Sequence, residues 1–188
     1  MSTRQKALQA AAELLGTQGL RALTHTRVDE AAGIPRGSTS NYFRTRAALL
    51  TGVVDWIAEQ DLAELGAPPS PPADVGEFVA LLVQGVEHIT TASRTRTIAR
   101  YVLFLEGTHN EDVRRPLLAG RVRFRAFVET AMARLGAPDP AAAATAITAV
   151  GEGMILHRLA VDPEADVLAA IDAVVRAFVP RRRGRARS

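Results

Sequence analysis

Apolar residues recur along this chain with the period of an α-helix, almost from its start. Leu8, Ala11, Ala12 and Leu15 fall at i, i+3, i+4 and i+7, which predicts an amphipathic helix over residues 4–16 that ends between Gly16 and Gly19. Thr24 stands where an N-cap belongs, ahead of a short helix over about residues 25–32. Gly33 is placed to stop it as the residue after the last turn. Thr45 can cap a long periodic segment reaching about residue 65, with Leu49, Val53, Trp56 and Ile57 as its apolar stripe. The four prolines of GAPPSPPAD, residues 66–74, then mark the clearest boundary in the chain. Beyond it the pattern predicts helices at about 74–92, 94–107, 111–136, 139–160 and 164–179. No run of convincing length alternates with the period of a strand, so the expected fold class is all-α, with about nine helices.

One stretch interrupts this regularity. GIPRGSTSNYF, residues 33–43, is rich in turn-forming residues yet lies between helical segments. With the helix before it, the layout is that of a helix-turn-helix: a capped short helix, a glycine turn, and a second short helix with polar exposed positions. Val28, Ala31, Ile34, Thr39 and Phe43 would point inward, and Pro35 would sit in the first turn of the second helix. Arg36, Gly37, Ser38, Ser40, Asn41 and Tyr42 would face solvent, with glycine and serines small enough for close approach to a major groove. By residue preference alone the stretch fits a surface loop better than a recognition helix.

Charge sharpens this picture. Residues 1–50 carry seven Lys/Arg against three Asp/Glu, and residues 51–175 carry ten against seventeen. The last thirteen residues hold six arginines and no acid. A basic front on an acidic body suggests that one end meets a polyanion. The tail RRRGRARS, residues 181–188, reads as a disordered extension that either adds non-specific DNA affinity or only solubilises. The absence of cysteine excludes disulfides and thiolate metal sites and suits a reducing compartment. No apolar run reaches the roughly 18–20 residues that cross a bilayer, and the opening MSTRQKALQAAAELL is amphipathic rather than signal-like. The expectation is a soluble cytoplasmic protein without membrane contact.

Residues 24–46, THTRVDEAAGIPRGSTSNYFRTR, resemble the DNA-binding domain of the TetR family of bacterial transcriptional regulators. Ala32, Gly33, Gly37 and Phe43 match the family's pattern directly, and Ile34, Arg36, Ser38, Tyr42 and Arg46 are close replacements. The departures are Asp29, Pro35, Thr39 and Ser40, where the family usually has alanine, a small polar residue, leucine and tyrosine. The resemblance implies a three-helix head over residues 1–48, a ligand-binding and dimerisation bundle over 49–180, and then the tail. It also implies roles. Thr24, Thr26, Tyr42 and Arg46 would hold phosphates, while Arg36, Ser38 and Asn41 would meet base edges, with Gly37 allowing approach and Ser40 beside them.

Paired heads on a pseudo-palindrome require a homodimer. Ile147, Val150, Gly151 and Met154 are its candidates in the penultimate helix, and Leu168, Ile171, Val175 and Phe178 in the last; an intramolecular core fits the same pattern. Polar and aromatic residues of the central helices are candidates for an effector pocket. They are His88, Thr91, Tyr101, Phe104, Glu106 and His109, and further on Phe127, Glu152 and His157, with Leu105 and Phe124 as apolar wall. The expected function is a ligand-responsive repressor, released from its operator by a small molecule through population shift; a constitutive regulator without effector is the alternative. Glu106 and His109 at i, i+3 also suggest a metal-dependent bundle enzyme, but Glu152 and His157 do not repeat the spacing. No phosphate-binding glycine loop, HExxH or serine elbow is present, so neither catalysis nor a cofactor is expected.

Overall fold

The computed structural model describes residues 1–65 and 71–180. The basic tail at 181–188 and the first part of the proline-rich segment lie outside the described residues. Among the described residues every regular element is helical, with nine α-helices and one 3-10 turn. Packing gathers the described residues into two compact units, one within residues 1–65 and 93–122, the other within residues 71–92 and 123–180.

In the first unit α1 (Thr3–Gln18) starts at a capping box: Ser2 Oγ accepts from Gln5 N–H at 3.2 Å, and Ser2 N–H donates to Gln5 Oε1 at 2.9 Å. A 3-10 turn, Leu20–Ala22, leads to α2 (His25–Ala32), which Thr24 caps and Gly33 ends at φ 60°. α3 (Ser38–Tyr42) follows, and then α4 (Arg46–Leu65), whose first turn Thr45 caps through Ala48 N–H at 3.1 Å. α6 (Arg94–Glu106) and the first part of α7 (Glu111–Arg134) complete the unit. Leu8, Leu15, Leu23, Val28, Leu49, Val53 and Ile57 are buried in one core with Leu103 and Val113, as the helical stripes predict. α1 lies so close to α6 that a Cβ on Gly16 would fall 2.1 Å from the Thr95 carbonyl oxygen. On α4, Asp61 pairs with Arg100 at 2.9 Å and with Arg96 at 3.4 Å, and Glu64 also pairs with Arg96.

The second unit holds α5 (Val75–Thr90), the rest of α7, α8 (Pro140–Ala160) and α9 (Val167–Ala177). Asp74, Asp139 and Asp166 cap α5, α8 and α9 through backbone N–H groups, each at 2.9 Å. Phe78 is fully buried, with its ring 6.3 Å from that of Phe127, and Leu82, Val128 and Met132 of the same unit are buried too.

Two expectations need correction. Ala31 is exposed, because the α2 face turned to α3 runs through Val28 and Asp29 instead. Pro35 lies in the turn before α3 rather than in its first turn, and its carbonyl accepts from Ser38 N–H at 3.1 Å.

Candidate nucleic-acid interface

α3 has five residues, Ser38–Tyr42, and of these only Thr39 is buried. The chain enters it through Gly37 at φ 87°, a left-handed conformation that favours glycine. Ser40, Asn41 and Tyr42 are exposed, Tyr42 by 50%, and Ser38 is half-buried. Ser40 Oγ donates to the Gly37 carbonyl at 2.9 Å, so this hydroxyl serves its own helix first. The Arg36 side chain is 85% exposed and lies 3.6 Å from Glu30, a surface pair too weak to hold it from another partner.

The turn is held from inside by Asp29, which is 2% exposed. Its Oδ2 accepts from Gly37 N–H at 2.7 Å, while Oδ1 accepts from Thr39 N–H at 2.8 Å and from the Thr39 hydroxyl at 2.5 Å. Burial alone would raise this carboxyl's pKa. The hydrogen bonds from Thr39 and Gly37, with the nearby charge of His25, outweigh burial and hold it below the ordinary 3.8. At the other end of α3, His25 Nε2 donates to the Phe43 carbonyl at 2.6 Å. The departure at Asp29 is thus matched by that at Thr39: a buried polar pair stands where alanine and leucine are usual.

Arg46 is exposed and also has a bracing role. Its Nε donates to the Leu23 carbonyl at 3.2 Å and a terminal nitrogen to that of Leu20 at 2.9 Å, so it braces the 3-10 turn between α1 and α2. Arg44, which the sequence pattern did not single out, is exposed and lines with Ser40 and Asn41 an open depression of about 440 Å³. Thr24 and Thr26 are exposed, and Thr24 Oγ1 accepts from Arg27 N–H at 3.4 Å.

Two family models match this chain: "Bacterial regulatory proteins, tetR family" over residues 7–53, and "Tetracyclin repressor-like, C-terminal domain" over residues 73–181. The chain belongs to the tetR family. Its members are non-enzymatic DNA-binding transcriptional regulators, and that sets aside the metal-enzyme reading. No curated protein matches it. Among solved structures it is similar to SCO1917 of Streptomyces coelicolor A3, a tetR-family member, at 25% identity and TM-score 0.72, covering 96% of this chain and 100% of that one. The multidrug binding protein EbrR complexed with ethidium gives 23% identity and TM-score 0.72 over 96% and 100%. A transcriptional regulator of Rhodococcus sp. Rha1, RHA1_ro04179, gives 13% and 0.76 over 94% and 96%. At the last two identities only the fold is shared.

The other candidate residues of this tetR-family chain are divided between the two units. Tyr101, Phe104, Glu106 and His109 belong to the first unit, and His88, Thr91, Phe127, Glu152 and His157 to the second. His88, Thr91, His109 and His157 are exposed. Tyr101 and Phe104 pack edge to face at 6.4 Å, with Arg121 over the Phe104 ring. Among the described residues no group of three metal-ligating side chains forms, and no helix is long and apolar enough to cross a membrane. Of the dimer candidates, Ile147, Ile171 and Val175 are buried within their own unit. Val150, Gly151, Met154 and Phe178 are half-buried, and Leu168 is 53% exposed.

Proposed function

We propose that this regulator is a ligand-responsive repressor that acts in the cytoplasm, binds a pseudo-palindromic operator as a homodimer, and is released by a small molecule. The observation that carries the DNA reading is α3 itself, fixed at both ends with an outer face left to polar side chains. Arg36, Ser38 and Asn41 meet base edges, Gly37 admits the groove wall, and Ser40 borders the contact. Thr24, Thr26, Tyr42 and Arg44 hold phosphates, assisted by the remaining N–H groups of Arg46. The dimer forms through the outer faces of α8 and α9, where Ala149, Gly153, Leu156, Leu168 and Ala173 are exposed. EbrR holds ethidium, and Phe124 and Phe127, 6.4 Å apart beside Phe78, supply aromatic surface suited to a planar apolar effector.

The test is a binding assay of the purified chain on its own upstream intergenic DNA, with random DNA as competitor. The expected result is a complex of two chains per duplex that resists the competitor and dissociates when ethidium or another planar aromatic is titrated in. A complex removed equally by random DNA contradicts the operator reading, and one that no such compound dissolves favours the constitutive alternative.

A further inference from the structure

α3 is weak by itself. Ser, Thr, Asn and Tyr are indifferent helix formers, and five residues make little more than one turn, too short to overcome the unfavourable nucleation of a helix. Its N-cap is Gly37, which has no side chain to accept the first amide protons. α2 supplies what α3 lacks. His25 and Asp29 are one turn apart on α2, at i and i+4, and so share a face of that helix. The Asp29 carboxylate meets the N–H end of α3, at Gly37 and Thr39, and the His25 N–H meets the carbonyl end, at Phe43. An acceptor at the amino end and a donor at the carboxyl end is the polarity a helix requires.

We propose that His25 and Asp29 are positioning residues for sequence discrimination, forming a two-ended clamp from α2 that sets the register and rotation of α3. Base selectivity then depends on two side chains that make no base contact themselves; Asp29 is too deeply buried to touch DNA at all. The proposal rests on the reading of α3 as the element that enters the groove. A contact that only stabilised the head would lower affinity for every DNA alike, whereas a loosened α3 still meets phosphates but no longer presents Arg36, Ser38 and Asn41 in one fixed pose.

The experiment uses the full chain and two probes: a duplex enriched by the wild-type protein from a random-sequence pool, and an unselected duplex of equal length. Asp29→Asn keeps the side-chain shape but replaces one acceptor oxygen by a donor. It should lower the ratio of selected to unselected affinity about tenfold, with unselected affinity within about twofold of wild type. Hydrogen exchange of the free protein should quicken at the Gly37 and Thr39 amides. His25→Leu should also lower the ratio, while His25→Gln, whose amide N–H reaches the position of Nε2, should restore most of it. The histidine pair keeps the proposal testable should Asp29→Asn not fold. Equal losses on both duplexes, an unchanged ratio, or unchanged exchange at the two amides would each overturn the clamp. If the wild type enriches no sequence while exchange responds as expected, the DNA reading of α3 fails and the specificity role falls with it.

Discussion

α3 and α9 are both short helices, and they are fixed in opposite ways. α9 buries Val167, Ile171 and Val175, a stripe at i, i+4 and i+8, against α5 and α8, and caps its own start with Asp166. α3 buries only Thr39 and is held at its ends by Asp29 and His25. Burial fixes a helix by consuming one of its faces. A clamp at the ends fixes it while leaving nearly the whole lateral surface for another molecule. That difference suits an element meant for packing and one meant for contact.

The contrast can be broken from either side. The largest expected effect is on the apolar helix: Ile171→Ala should destabilise the protein by about 2–5 kcal/mol in urea unfolding, to a similar extent at neutral and acid pH. The polar clamp comes next. Asp29→Asn should cost about 1–3 kcal/mol at neutral pH by orphaning a buried donor. Because the folded-state pKa of Asp29 lies below 3.8, its contribution is complete above that value and is lost as pH falls through the folded pKa. The stability gap between wild type and Asp29→Asn should therefore narrow below pH 3.8, whereas the Ile171→Ala gap should not. A smaller effect is expected at the turn. Gly33→Ala should cost about 1–2 kcal/mol by thermal unfolding, from backbone conformation alone, since φ is 60° and no atom lies within 4 Å of an added Cβ.

Most helices were legible from periodicity and caps. Thr24, Gly33 and Thr45 bound elements close to where their residue types predict. The exposed polar set at Arg36, Ser40, Asn41 and Tyr42 was legible for the same reason, since Val28, Thr39 and Phe43 turn the other way. What stayed hidden depends on contacts distant in sequence. Nothing local to Asp29 announces amides eight and ten residues away, though a lone acid one turn beyond His25 on a buried face is a signal in hindsight. The bracing of two carbonyls by Arg46 is likewise tertiary, and nothing near Arg46 in the sequence announces partners more than twenty residues back. In α8 and α9 an apolar stripe does not tell whether its own chain or a second one covers it. Ile147, Ile171 and Val175 are covered by their own chain.

The central claim, that α3 and the turn leading into it read sequence, is tested most directly by comparing Arg36→Ala with Arg44→Ala on selected and unselected duplexes over a salt series. Both arginines are exposed, so neither change should alter folding stability by more than about 0.5 kcal/mol. Arg36→Ala is predicted to lose about 1–3 kcal/mol of discrimination while its affinity for unselected DNA holds. Arg44→Ala should weaken both duplexes alike and reduce the salt slope by about one. Equal losses on the two duplexes for Arg36→Ala would contradict the account.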